Sequence, residues 1–190
     1  MSSSLLLTQK GWRNSGGGQG MLAEQYNNDT GLWANIATCN ADDTVTSLID
    51  AKNAGGWDGN RWYVISVTGG LHAYTLATNS WTGPLVSGTV IIGQTNPQSS
   101  NWCMASDGAY VYMLSDRNDF RRYDPSNDSL TALATPPGGA YTLRMFLTYD
   151  GSGSIYGSKG DQNPMTVYRY DIPSNTWVAT GSGGFSTATV

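Results

Sequence analysis

Apolar residues in this chain come in short runs, each closed off by glycine, asparagine, aspartate or serine. Three of the clearest are Arg61-Trp-Tyr-Val-Ile-Ser-Val67, Ala109-Tyr-Val-Tyr-Met-Leu-Ser115 and Ser154-Ile-Tyr-Gly-Ser158. They are rich in β-branched and aromatic residues and bounded by turn formers, which predicts β-strands of about five residues. Each follows an Asp-Gly pair, Asp58-Gly59, Asp107-Gly108 and Asp150-Gly151. A second set of strands follows, in Leu71–Thr75, 120–124, 166–171 and 21–26, each carrying a tyrosine at or near its end.

Those tyrosines open a hairpin written four times, over 26–33, 74–81, 123–130 and 170–177. It reads Tyr26-Asn-Asn-Asp-Thr-Gly-Leu-Trp33, Tyr74-Thr-Leu-Ala-Thr-Asn-Ser-Trp81, Tyr123-Asp-Pro-Ser-Asn-Asp-Ser-Leu130 and Tyr170-Asp-Ile-Pro-Ser-Asn-Thr-Trp177. The tyrosines lie 48, 49 and 47 residues apart. A fixed period of this size marks a repeat architecture. Two residues before each Trp position stand Gly31, Asn79, Asp128 and Asn175. These are the residue types that most readily hold the left-handed backbone a tight hairpin requires. Replacing Asn79 or Asn175 by valine is therefore expected to cost stability, and by glycine to be neutral or slightly favourable. Pro125 and Pro173 preset φ, and Asp124 and Asp171 can bond backbone N–H groups two residues on.

A further strand, clearest in 140–149, gives each repeat four antiparallel strands, the blade of a β-propeller. The Tyr-Asp-x-x-Ser/Thr-Asn-x-Trp hairpin resembles the kelch repeat. That resemblance implies an all-β propeller of four kelch-like, four-stranded blades occupying 1–190 as one domain. The glycine pair that kelch units carry before the tyrosine strand stands only at Gly69-Gly70, and Leu130 replaces the expected Trp. Kelch-like propellers usually have six or seven blades.

The ends of the sequence bear on that shortfall. Residues 183–190 read as the beginning of a first blade strand, and 4–11 as a second strand with none ahead of it. Joining Val190 to Met1 places the next tyrosine 46 residues past Tyr170, close to the repeat length. The expected closure pairs 185–190 with 5–8, which would remove exposed sheet edges. A four-bladed ring of one chain is the leading form. An eight-bladed ring of two chains and a piece of a longer propeller are the alternatives.

Composition narrows the chemistry. The 190 residues include 24 glycines, 13% charged and 11% aromatic residues, with Glu24 the only glutamate and Lys10, Lys52 and Lys159 the only lysines, so helix should be minor. A net charge of −4 argues against nucleic acid or an anionic membrane surface as partner. The leader 1–10 has no signal-peptide pattern, and no apolar stretch approaches the roughly 20 residues of a membrane helix. Cytoplasmic synthesis is expected, with incorporation into a virion in one reading. Cys39 and Cys103 lie in different repeats with no metal spacing, and are read as reduced thiols.

No catalytic set is visible. The single histidine, His72, has Glu24, Arg121 and Tyr168 as its counterparts, which suggests a surface position. Asp42-Asp43 and 116–119 do not match a calcium loop, and Gly16-Gly-Gly-Gln-Gly20 lacks the Lys-Ser/Thr of a phosphate loop. No cofactor or metal is expected. The connections between second and third strands, 11–20, 68–70, 115–119 and 158–164, vary most. Trp12, Arg13, Arg117 and Lys159 in them are the candidate partner-binding residues. The expected function is a non-enzymatic structural or protein-interaction module, for instance a bacteriophage decoration or tail protein with assembly neighbours as partners. The alternative is a glycan-binding module using Trp12 or Trp102, since indoles stack on sugars.

Overall fold

A computed structural model describes residues 5–14, 19–27, 29–35, 56–65, 70–86, 102–115, 117–138, 145–158 and 165–183, and the statements below concern these. They form fifteen strands in four antiparallel sheets and contain no helix. Sheet I holds β1 (Leu5–Asn14), β2 (Gln19–Asn27) and β3 (Leu32–Asn35). Sheet II holds β4 (Gly56–Trp57), β5 (Arg61–Ile65), β6 (Leu71–Thr75) and β7 (Ser80–Thr82). Sheet III holds β8 (Trp102–Ser106), β9 (Val111–Ser115), β10 (Phe120–Asp124) and β11 (Ser129–Ala132). Sheet IV holds β12 (Leu147–Tyr149), β13 (Ser154–Ser158), β14 (Met165–Asp171) and β15 (Thr176–Gly183). In every sheet spatial order follows chain order, and the first strands β4, β8 and β12 lie beside one another.

The register repeats from sheet to sheet. One row of directly opposed residues is Trp57–Trp62–Tyr74–Trp81 in sheet II, Ser106–Val111–Tyr123–Leu130 in sheet III and Tyr149–Ile155–Tyr170–Trp177 in sheet IV. Sheet I contributes Leu6–Tyr26–Trp33 to the same row. The next row points to the opposite face, because side chains alternate along a strand. It reads Gly56–Tyr63–Ala73–Thr82, Ala105–Tyr112–Arg122–Thr131 and Thr148–Tyr156–Arg169–Val178.

The core lies between sheets, face against face. Tyr63, Leu71 and Ala73 of sheet II pack with Trp102, Met104, Val111, Met113 and Tyr123 of sheet III. The other face of sheet III gives Cys103, Tyr112, Leu114 and Phe120 to a second cluster with Leu147, Ile155 and Tyr170 of sheet IV. Both faces of β9 are thus buried, which is why its sequence is a continuous apolar run rather than an alternating one. Gly56 has a packing reason: a Cβ there would press within 2.9 Å of Val111.

All four hairpins hold a left-handed residue, Gly31 (φ 68°), Asn79 (49°), Asp128 (54°) and Asn175 (53°), as the spacing predicts. The side chain there has a second duty. Tyr74 and Tyr170 donate their hydroxyls to the Oδ1 of Asn79 and Asn175 at 2.8 Å, and Tyr123 donates to Asp128. Glycine at 79 or 175 would keep the backbone but remove this acceptor, so the expectation of a neutral substitution is corrected.

Three further readings change. His72 is buried rather than surface-facing, and its counterpart Arg121 is buried too and paired through Nε to Asp119 at 2.8 Å. In sheets II and III the third strand is covered on both faces, so diverse residues there do not signal exposure. A Cβ on Gly83 would collide with the His72 ring, so that glycine makes its place. Trp102 is 1% exposed in the core of sheets II and III and offers no face to a sugar. The segment 11–20, read as a loop, is mostly strand: β1 runs to Asn14 and β2 starts at Gln19, with a register shift between Gln9 and Trp12. Cys103 is a free buried thiol within bonding reach of the Leu114 carbonyl, and Cys39 lies outside the described residues. The pairing of 185–190 with 5–8 also involves residues outside the description; Gly183, placed there at the start of an inner strand, ends β15.

Candidate interaction surface

The antiparallel order puts two kinds of connection at opposite ends of each sheet. At one end lie the Asp-Gly turns and the tyrosine hairpins. At the other lie the connections between second and third strands.

The first end is built from repeated hydrogen bonds. Asp58 Oδ1 accepts the backbone N–H groups of Asn60 (2.8 Å) and Arg61 (2.6 Å), while its Oδ2 accepts the Tyr63 hydroxyl (2.7 Å). Asp107 repeats this with Ala109, Tyr110 and the Tyr112 hydroxyl. Asp150 Oδ1 accepts the N–H groups of Ser152 and Ser154. Burial pushes the Asp58 carboxyl up, but the bonds from Tyr63, Arg61 and Asn60 and the nearby Arg61 charge outweigh it, and its pKa lies below the usual carboxylate value. Burial, then the bond to a carboxylate, raises the Tyr63, Tyr112 and Tyr123 phenols well above their ordinary value.

These groups also join neighbouring sheets. Tyr63 of sheet II meets Tyr123 of sheet III edge-on, with centroids 5.6 Å apart. Tyr112 of sheet III lies 6.4 Å from Tyr170 of sheet IV. Between sheets III and IV the hairpin grips the chain leaving β11. Asn175 Oδ1 accepts the Ala134 N–H at 2.9 Å, and Trp177 Nε1 donates to the Ala134 carbonyl at 2.8 Å. Phe120 stands edge-on to Trp177 at 5.0 Å. Leu130 at the same place in sheet III packs on the core but has no N–H to donate.

At the other end, the backbones of Trp12 and Arg13 lie in β1, opposite Met21 and Gly20 of β2. Arg117 is exposed in the turn from β9 to β10. That turn is held by Ser115 Oγ, which accepts the N–H groups of Arg117 (3.3 Å) and Asp119 (3.1 Å), with Asn118 left-handed at φ 67°. Lys159 lies outside the described residues, in the β13–β14 connection. The topology thus brings Trp12, Arg13 and Arg117 to one end of their sheets, on different sheets. Among the described residues no group of acidic, histidine or cysteine side chains is placed to hold a metal ion.

The sequence reading missed the second repeated tyrosine, Tyr63, Tyr112 and Tyr156, which in sheets II and III faces the following sheet. Its signal is the Asp-Gly spacing, since Tyr63 and Tyr112 stand five residues after Asp58 and Asp107.

No family model matches the chain, and no curated protein matches it in sequence. Solved structures do match in fold. A nidogen/laminin complex superposes over 94% of this chain with a TM-score of 0.59 at 10% identity, and TolB from Acinetobacter baumannii over 92% with 0.53 at 15%. The chain spans 61% and 43% of those two chains. The fold is β-propeller-like, an all-β array that among the described residues has three antiparallel four-stranded sheets and one of three strands.

Proposed function

We propose that this chain is a non-enzymatic β-propeller of four kelch-like blades that works as a protein-interaction module, its ring closed by pairing of the N- and C-terminal strands so that sheets I and IV meet. Within that class it is a component of an assembly, such as a bacteriophage decoration or tail protein. Synthesis in the cytoplasm and incorporation into the virion follow from that reading. The observation that carries the module reading is the contrast between a repeated, bonded scaffold and connections that differ in every sheet. A scaffold of that kind displays side chains on rigid supports, and binding concentrates on such loops. Trp12, Arg13, Arg117 and Lys159 are the partner-contact set, being large or cationic groups of the kind that dominate interfaces. The match to a chain from a nidogen/laminin complex supports a protein partner. The particle reading rests on the Gly/Ser/Thr/Asn-rich composition with few charges.

Mass-spectrometric analysis of purified particles, with the chain detected in fixed ratio to a major capsid protein, tests the particle reading; its absence from particles would sink it. Loss of partner capture by Arg117→Ala or Trp12→Ala in a folded protein tests the contact set.

A further inference from the structure

The II–III and III–IV seams each pair two kinds of face. The hairpin face of one sheet, carrying Tyr123 and Leu130 or Tyr170 and Trp177, packs on the face of the preceding sheet that carries Tyr63 or Tyr112. In both seams the tyrosines are sealed: Tyr63, Tyr112 and Tyr123 are 0% exposed and Tyr170 1%. Among the described residues one face of each kind is seen open. The hairpin face of sheet I has Tyr26 half-buried and Trp33 49% exposed. The far face of sheet IV repeats the row of sheet III, with Tyr156, Arg169 and Val178 standing where Tyr112, Arg122 and Thr131 stand. Yet there Tyr156 and Val167 are only half-buried, Arg169 is exposed and Val178 is 50% exposed. Thr82 and Thr131, also exposed, occupy the Val178 position in sheets II and III, so sheet IV carries an apolar group where the sealed seams keep a polar one.

We infer that a second copy of this chain covers both faces, sheet I of each copy packing on sheet IV of the other to close a two-fold ring of eight sheets. The argument is continuity with the molecule's own interface. The sheet III–IV seam shows what a hairpin face accepts, and among the described residues the far face of sheet IV is an unused surface of that kind. Among the described residues of one chain both faces are open, whereas two copies supply two complementary pairs of them. A head-to-tail contact that closes after two copies gives a finite assembly rather than a filament. The inference rests on the closure of the ring through sheets I and IV and names the chain that provides it.

The test is the mass of the full chain by size exclusion with light scattering. Wild type is expected at twice 20.3 kDa. Trp33→Glu and Val178→Glu, each at a half-exposed position, are expected to run as folded monomers with unchanged near-UV circular dichroism. Mixing the two variants is expected to restore dimer, because a mixed pair retains one seam with both wild-type faces. A dimer that persists in both variants, or a mixture that stays monomeric, overturns the head-to-tail pairing. A monomeric wild type overturns the second copy: if Trp33→Glu then lowers its melting temperature, closure within one chain stands. If that variant melts unchanged, the closure reading falls as well.

Discussion

The two ends of the sheets solve the same problem, reversing a strand, by different means. At the Asp-Gly and tyrosine-hairpin end, the three Asp-Gly turns and the hairpins of sheets III and IV spend a carboxylate or amide oxygen on backbone N–H groups, and five of the seven turns bind a tyrosine hydroxyl. At the opposite end the connections differ in length and sequence, and among the described residues Ser115 holds one turn by its hydroxyl, while β1 and β2 run as long paired strands. The difference teaches where sequence is constrained. The regular end lies where sheets must meet, so its groups serve turn and seam together. The irregular end is free to vary, and variation there is what a display surface requires.

The sharpest way to break the regular end is at Asn175, which holds a left-handed backbone and accepts both the Tyr170 hydroxyl and the Ala134 N–H. Asn175→Val should strain the backbone by about 1–2 kcal/mol and forfeit two hydrogen bonds at about 0.5–1.5 kcal/mol each. A total near 3 kcal/mol is expected in a denaturant titration. Asn175→Gly keeps the backbone and should lose only the bonds, about 1–3 kcal/mol. Equal losses for the two variants would show that the left-handed backbone contributes nothing. Trp177→Leu, which imposes on sheet IV what sheet III has at Leu130, should cost less. It removes one bond to Ala134, about 0.5–1.5 kcal/mol, and an edge-on ring pair with Phe120, about 0.5–1.5 kcal/mol.

How far these features were legible depends on how far apart in sequence their partners lie. The left-handed positions follow from residue type at a fixed offset, and the hairpin rows from Tyr and Trp seven residues apart. The grip of Asn175 and Trp177 on Ala134 spans 41 and 43 residues, and no local pattern reports it. His72 and Trp102 were misread for another reason. Strands covered on both faces lose the alternation that would separate inside from outside, so position along the strand says nothing of burial. The hairpin of β1 and β2 was hidden because Gly16-Gly-Gly-Gln-Gly20 reads as loop although pairing continues on either side of 15–18.

Titration separates the two oxygens of each bond at the regular end. Hydrogen bonds hold Asp58, Asp124, Asp150 and Asp171 below the ordinary carboxylate value, for Asp58 against the opposing effect of burial. Their stabilising effect is therefore present above the unfolded value of about 3.9 and lost as pH falls through the depressed folded values. The phenols of Tyr63, Tyr112 and Tyr123 shift the other way. Their effect is intact below the unfolded value of about 10 and fades as pH rises above it, because the unfolded chain ionises first. Melting temperature should fall at both extremes. Phenolate absorbance in the alkaline limb should show a group of tyrosines that ionise only with unfolding. If all eleven tyrosines ionised in one early step before unfolding, the buried hydroxyl bonds would be ruled out.

The smallest expected effect is a gain, at the one hairpin that lacks the acceptor. Gly31 holds the same left-handed backbone, φ 68°, and a Cβ there would sit 3.8 Å from the Tyr26 hydroxyl, in ordinary contact. Asparagine tolerates this conformation and would carry an oxygen to where Asn79 and Asn175 carry theirs. Gly31→Asn should therefore stabilise by about 0.5–1 kcal/mol, the net worth of one hydrogen bond less the small strain of the Cβ, with a further contribution from a less flexible unfolded chain. Gly31→Ala separates the parts: it places a Cβ on the same left-handed backbone without an acceptor, and should lose stability rather than gain it. Tyr26→Phe in the Gly31→Asn background should erase the gain, whereas in wild type it should change little. A gain that survives Tyr26→Phe would come from the backbone alone, and the hydroxyl-to-amide bond would not be what the other three hairpins share.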